Sequence, residues 1–165
     1  MEFTDEHRFD APIDSVWTMF CDPESHRTKF ADMGHREIEV LESEGSADGF
    51  HIKVKRVVTV DLPGFAKRVL KPTNTVTTTD DWTREADGSC VGTQLVDTEG
   101  APVKINASTR LEADGDATVY SVKVNLDVKV PLIGGKLADW AKGSVKEQLD
   151  QEFAAGDRWL AAHAD

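Results

Sequence analysis

The sequence predicts an α+β protein in which one long C-terminal helix packs across a curved antiparallel sheet of about seven strands. Three observations lead to this fold class. Apolar and polar residues alternate in six successive segments in the middle of the chain, as in strands with one buried face. Asp-Gly pairs at 48–49, 87–88 and 114–115 favour tight hairpins between these segments. Residues 135–162 carry an apolar stripe at helical spacing.

The N-terminal elements are predicted in the order strand, helix, helix. Residues 2–9 have the pattern of a strand. Pro12 is tolerated in the first turn of a helix, and apolar residues recur after it at helical spacing. Pro23 ends that helix and opens a second short one, roughly 23–32, which ends at Gly34.

The six later strands are predicted to form a meander. They begin at Ile38 and continue at 50–60, 74–85, 89–98, 103–112 and 118–130. Alternate connections of a meander lie at the same end of the sheet, so the three Asp-Gly turns should share one end. The longer connections 61–73, 99–102 and 131–135 should then share the other end. Since binding residues concentrate on such loops, we expect the functional site there.

Composition limits the classes of partner and the compartment. The chain has 165 residues, which suits one domain spanning 1–165. The net charge of −11 repels phosphate backbones and anionic lipids, so we expect no nucleic-acid partner and no stable membrane association. The N-terminal segment lacks the pattern of a signal peptide, and Cys21 and Cys90 are isolated, as free thiols usually are. We therefore expect a cytoplasmic protein.

Two segments resemble a known superfamily. Residues 9–17, Phe-Asp-Ala-Pro-Ile-Asp-Ser-Val-Trp, followed by Asp-Pro-Glu at 22–24, resemble the opening of the START-like, or helix-grip, superfamily. That superfamily includes birch-pollen allergens, lipid-transfer START domains and polyketide cyclases. Residues 128–137, Val-Lys-Val-Pro-Leu-Ile-Gly-Gly-Lys-Leu, resemble an actinobacterial subfamily of domains of unknown function within it, which implies a bacterial protein. The resemblance implies a cavity between sheet and long helix that commonly holds an apolar ligand.

Arg56 and Asp80 are the charged residues that the strand pattern places on an apolar face. Arg56 follows the parity of Ile52 and Val54, and Asp80 follows that of Trp82. If the two strands pair around the 61–73 loop, the two charges would be near neighbours facing the cavity, where such a pair could orient a ligand's polar group. The alternative is a bulge near Val58 that turns Arg56 to solvent.

Further residues are predicted to line the same cavity. Tyr120 shares the apolar face of its strand, and its hydroxyl needs a partner if it is buried. The 61–70 loop has apolar residues at helical spacing and either forms a short amphipathic helix over the cavity mouth or simply plugs the core. We expect a cavity of roughly 300–1,000 Å³. The predicted ligand-binding residues are Ile52, Val54, Arg56, Phe65, Val69, Asp80, Trp82, Tyr120, Val122, Val124, Leu137 and Trp140.

The signatures of catalysis and of metal binding are missing from the sequence. It contains no HExxH, no CxxC and no GxSxG, so we expect no metal, no cofactor and no catalytic residue. The predicted function is binding or transport of a small apolar or lipid-like ligand. One alternative is a cyclase- or hydratase-like enzyme on a polyketide-like substrate, with Arg56, Asp80 and Tyr120 as its candidate groups. The other is a protein-interaction module with a collapsed cavity.

Overall fold

Residues 1–164, which the computed structural model describes, form seven strands and three α-helices. The strands are β1 (Glu2–Phe9), β2 (Arg36–Gly45), β3 (Gly49–Thr59), β4 (Thr73–Arg84), β5 (Cys90–Thr98), β6 (Val103–Asp114) and β7 (Ala117–Val128). The helices are α1 (Ile13–Cys21), α2 (Pro23–Asp32) and α3 (Gly134–Ala162), and a 3-10 turn spans Ala66–Arg68. The predicted α+β architecture, with two short helices after the first strand and a long last helix, is confirmed.

The seven strands form one antiparallel sheet in the order β1-β7-β6-β5-β4-β3-β2. Strands β2 to β7 are a meander, and β1 returns to pair with β7. The tight turns at 46–48, 85–89 and 115–116 therefore share one end of the sheet, the hairpin end. There, the Arg84 amide donates to the Asp48 carbonyl at 2.8 Å. The predicted segregation of short and long connections is confirmed.

The longer connections meet at the opposite end, the loop end, which comprises residues 60–72, 99–102 and 129–136. The Lys129 amide donates to the Pro102 carbonyl at 3.1 Å, and the Lys136 ammonium lies 4.3 Å from the centroid of the Phe65 ring. These two contacts join all three connections into one surface. The start of α3 belongs to this surface because the helix begins at Gly134.

The core lies between the inner face of the sheet and α3. Along β7, Tyr120, Val122 and Val124 point inward and are buried, as the alternation predicts. Trp17 and Phe153 are buried, whereas Trp140 is only partly buried. Phe153 is thus enclosed between the helix and the sheet, whereas the Trp140 side chain remains partly open to solvent.

The 61–70 loop packs into the molecule without forming the amphipathic helix that the sequence pattern allowed. Ala66 is fully buried against Leu62 and Leu137, and one 3-10 turn is all the helical structure between residues 61 and 70. The loop therefore plugs the loop end of the core.

Candidate functional site

Two pockets lie between the sheet and α3. The large pocket has a volume of about 150 Å³ and is mostly apolar, with Val58, Val76, Val96 and Leu149 among its lining residues. The small pocket has a volume of about 40 Å³ and lies nearer the hairpin end, beside Phe9 and Phe153. Each is smaller than the single cavity of roughly 300–1,000 Å³ that the sequence predicted. The interior is divided where one larger chamber was expected.

Half of the predicted ligand-binding residues line these pockets. Arg56, Val124 and Trp140 line the large pocket. Asp80, Trp82 and Tyr120 line the small pocket. The other predicted residues belong to packed clusters and touch neither pocket: Ile52, Val54 and Val122 in the main core, and Leu137, Phe65 and Val69 in the plug of the loop end.

Arg56 lies on the inner face of the sheet and is 6% exposed. Its Nη1 donates to Thr78 Oγ1 at 2.6 Å, and its Nε donates to His35 Nδ1 at 3.1 Å. The guanidinium carbon stands 3.8 Å from the centroid of the Phe30 ring, a cation–π contact. Burial lowers the pKa of Arg56 to about 10, so its charge persists at neutral pH.

The alternative of a bulge that turns Arg56 outward is wrong. Pairing of β3 with β4 is continuous from Gly49 opposite Thr83 to Thr59 opposite Thr73. The irregularities of register occur instead between β2 and β3, on the β2 side, where residue 37 has a positive φ. Since β3 keeps its parity, Arg56 stays on the same face as Val54.

Asp80 shares that face but forms no ion pair with Arg56 within the part of the chain that the structure describes. On the paired strands β3 and β4, Asp80 lies opposite Ile52 and Arg56 lies opposite Val76. Thr78 of β4 lies between these two positions and separates the two charged residues. Asp80 is buried, and its Oδ1 has no hydrogen-bond partner among residues 1–164. Burial is the largest influence on its pKa and raises it, while the nearby Lys29 charge and the Gln94 side chain act in the opposite direction.

Thr109 supplies a second unpaired polar atom to the small pocket. Its Oγ1 is buried and has no hydrogen-bond partner among the described residues. It lies beside Gly92 of β5, where an added Cβ would stand only 2.7 Å from that oxygen. Two buried polar atoms without partners therefore belong to the same pocket.

The wall between the two pockets consists of residues that sequence reasoning missed. Gln94 and Glu152 line both pockets. Glu152 Oε1 lies 3.4 Å from the Lys29 ammonium, in an ion pair that joins α3 to α2. The sequence did carry a signal, because Glu152 follows Leu149 by three residues and so falls on the apolar face of its helix.

Tyr120 and His26 complete the small pocket. Burial, reinforced by the carboxylates of Glu152 and Asp80, raises the pKa of Tyr120 well above its usual value. His26 Nε2 lies 2.8 Å from the Phe20 carbonyl, and burial lowers the pKa of His26 to about 3. Both side chains are thus uncharged at neutral pH, and the other titratable side chains that line this pocket are Asp80, Glu152 and Lys29.

Within residues 1–164, no three His, Cys, Asp or Glu side chains come together in an arrangement that could hold a metal ion.

None of the helices in the described part of the chain combines the length and apolar character needed to cross a bilayer.

The chain belongs to a family described as a protein of unknown function, DUF2505. The sequence pattern of that family matches residues 4–160, which is nearly the whole chain. No curated protein matches the chain.

Solved structures that share little sequence with the chain have the same fold. The protein TTHA0849 from Thermus thermophilus superposes with a TM-score of 0.68 at 12% identity, over 100% of both chains. A STAR-related lipid transfer protein from Xanthomonas axonopodis gives 0.62 at 16% identity, over 97% of this chain and 85% of that chain. A START superfamily protein from Mycobacterium smegmatis gives 0.58 at 13% identity, over 98% and 97%. The predicted START-like fold is confirmed.

Proposed function

We propose that this protein binds a small amphipathic molecule between the sheet and α3. The apolar part of the ligand occupies the large pocket, and its polar group reaches past Gln94 to Asp80 in the small pocket. The observation that carries the proposal is the pair of buried polar atoms without partners, Asp80 Oδ1 and Thr109 Oγ1. A buried acceptor left unpaired costs about 1–3 kcal/mol, which a ligand that donates to it recovers.

The volume of the large pocket sets the size of the ligand. A volume of about 150 Å³ accommodates a molecule of the size of benzene. The polar group reaches Asp80 only if the ligand displaces the Gln94 side chain from the wall between the pockets, whereas the apolar part stays within the large pocket. We therefore expect a ligand with a short alkyl chain or one aromatic ring. The lipid-transfer name of the Xanthomonas axonopodis structure supports an apolar ligand of this general kind.

The chemistry of the small pocket sets the polar group. Asp80 Oδ1 accepts a hydrogen bond while its carboxyl is ionised, and Glu152 adds a second carboxylate. A ligand carboxylate would be repelled by Glu152 and by the ionised form of Asp80. The proposed ligand therefore carries a neutral or cationic donor, such as a hydroxyl or an amine.

The experiment compares two isomers that differ only in the donor, 1-hexanol and methyl pentyl ether. Binding is followed by NMR of the ¹⁵N-labelled tryptophan indoles. Trp140 lines the large pocket and Trp82 the small pocket, whereas Trp17 lines neither. We expect hexanol to shift the Trp140 and Trp82 signals and to bind about fivefold or more tightly than the ether, because only the alcohol donates to Asp80.

Matched variants assign the preference to the pocket. Thr109→Val keeps the shape of the side chain and removes its hydroxyl, and Asp80→Asn keeps the shape and removes the charge. We expect both variants to reduce the preference for the alcohol. The control Ser108→Ala, on the opposite face of β6, should leave that preference unchanged. Equal binding of the two isomers, or no shift of Trp140 with either, would contradict the proposal.

A further inference from the structure

Charge is distributed unequally between the two ends of the sheet. The loop end carries five basic and two acidic side chains, a formal charge of +3 in a chain whose total is −11. Its basic residues, Lys67, Arg68, Lys71, Lys129 and Lys136, are all exposed. The turns of the hairpin end carry four acidic side chains and no basic one. The molecule is therefore electrically polar along its strands.

Leu132 is the most exposed large apolar residue in the part of the chain that the structure describes, with a relative exposure of 105%. It lies in the loop end, between β7 and α3, and its φ is +70°. That backbone region is unfavourable for an L-residue with a side chain and favours glycine, which follows only two positions later. Folding alone gives no reason for a leucine here, since its side chain contributes nothing to the core.

The apolar and basic groups of the loop end lie together. The contact of Lys136 with the Phe65 ring brings the segment after Leu132 against the segment that contains Lys67 and Arg68. Phe65 and Ile133 are only partly buried, so apolar surface continues from Leu132 into the loop end. An exposed apolar tip at the same end of the molecule as five basic side chains is complementary to an anionic lipid surface, which offers charge outside and hydrocarbon beneath.

We propose that the loop end docks reversibly on anionic lipid bilayers, with Leu132 inserted among the lipids and the basic side chains against the headgroups. This inference is independent of the ligand proposed above, although the large pocket reaches the same end through Leu62, Leu70 and Lys71.

The net charge of −11 does not prevent such docking. Strands of twelve residues, such as β7, span about 40 Å, whereas electrostatic interactions are screened over about 8 Å at physiological ionic strength. When the loop end touches the lipid, the acidic hairpin end is too far away for its charge to be felt there. When the hairpin end approaches first, its acidic side chains are repelled by the anionic lipid. Contact through the loop end is therefore favoured. The contact stays reversible because one leucine and a few charges anchor a protein only weakly.

The experiment measures cosedimentation of the whole protein with two kinds of vesicle, phosphatidylcholine alone and phosphatidylcholine with phosphatidylserine. We expect binding only to the anionic vesicles, and a loss of binding as salt is raised. The variant Lys67→Glu/Arg68→Glu should weaken binding more than about 25-fold, at about fivefold for each basic residue removed from the surface. The control Lys53→Glu/Lys123→Glu changes the net charge equally but lies on strands β3 and β7, and should change binding less than about twofold.

A second pair of variants tests the apolar tip. Leu132→Gly and Leu132→Asn both suit the positive φ, so the fold is retained, and each should weaken vesicle binding about tenfold or more. Leu95→Ala removes an exposed leucine of β5 and should leave binding unchanged. Melting temperatures of all variants verify that they are folded.

Three results would overturn the proposal: no binding to anionic vesicles, equal loss in the sheet control, or full binding by both Leu132 variants. Poly-glutamate tests for an acidic protein partner instead. If it binds to the loop end while vesicles do not, the surface recognises acidic protein and the lipid assignment is wrong.

Discussion

Arg56 donates a hydrogen bond from Nε to Nδ1 of His35 across 3.1 Å, so a permanent cation depends on an imidazole that must stay neutral. Burial, then the Arg56 charge, then Lys29 lower the pKa of His35 to about 4. Protonation of His35 would remove the acceptor and place a second positive charge beside the first. Protonation of His35 is therefore expected to destabilise the folded protein.

We expect the contribution of His35 to the free energy of unfolding to fall as pH drops from 6.5 to about 4, while Asp80, whose pKa is raised by burial, acts in the opposite direction. The folded pKa of His35 lies below its unfolded value of 6.5, so the unfolded chain binds more protons in this window. The contribution is complete above pH 6.5 and is lost progressively below it. His26, with a folded pKa of about 3, acts in the same direction. Urea unfolding across this range measures the slope.

The variant His35→Gln tests whether His35 contributes to that slope. Glutamine can accept the hydrogen bond from Arg56 but does not titrate, so the dependence on pH should become shallower. His163→Gln, at the exposed end of α3, should leave the slope unchanged. A slope that is identical in all three proteins would show that His35 is not responsible.

Replacing Arg56 by methionine should raise the pKa of His35. The substitution removes the second-largest influence that lowers this pKa and keeps most of the buried apolar stem. It also removes the hydrogen bond to Thr78 and the contact with Phe30, so we expect a loss of about 1–3 kcal/mol in unfolding free energy. NMR titration of the His35 ring and urea unfolding measure the two effects.

The matched control for that variant is Arg27→Met on α2, where the arginine is exposed and pairs with Glu24. It should change stability by less than about 1 kcal/mol, as exposed ion pairs do. An unchanged His35 pKa in Arg56→Met would contradict the electrostatic account of the pair.

Two glycines of α3 should respond oppositely to alanine. A Cβ at Gly143 would meet nothing within 4 Å, so Gly143→Ala should stabilise the protein by about 0.5–1 kcal/mol through helix propensity. A Cβ at Gly156 would stand 2.7 Å from Phe9 Cε1, and Phe9 is buried. Gly156→Ala should therefore destabilise by about 1–3 kcal/mol. Thermal and urea unfolding of both variants measure this difference, and a shift of the same sign in both would be inconsistent with the packing described.

The two cysteines should be free and slow to react in the folded protein. Cys90 is fully buried, and burial of Cys21 raises the pKa of its thiol to about 11, so little thiolate is present near neutral pH. A chromogenic disulfide reagent should titrate two thiols in denaturant without reductant and react slowly under native conditions. Detection of no thiol in denaturant would show a disulfide instead.

Much of the fold followed from local signals. Alternation along 118–130 needs only neighbouring residues to be recognised, and the Asp-Gly turns fix where the chain reverses. The segregation of short and long connections then follows from meander topology. The alternation of residues along β3 also predicted that Arg56 lies on the inner face of the sheet. The β3–β4 register was needed to rule out a bulge that would turn it outward.

The composition of the candidate site was harder to predict from the sequence. Gln94 and Glu152 come from β5 and α3, more than fifty residues apart, and only tertiary packing makes them one wall. Asp80 Oδ1 and Thr109 Oγ1 likewise lack hydrogen bonds because no polar group of another described element lies close enough to form one. No local pattern encodes the absence of a partner.

The sequence by itself determined the fold class, the order of the elements and the two ends of the sheet. Tertiary structure alone decided that the interior is two small pockets, that the 61–70 loop is a plug, and that Gly156 is closely packed while Gly143 is free. The physical reason is that secondary structure depends on residues adjacent in the chain. The volume of a pocket is instead the small difference between the space a curved sheet and helix enclose and the summed volume of side chains from every element.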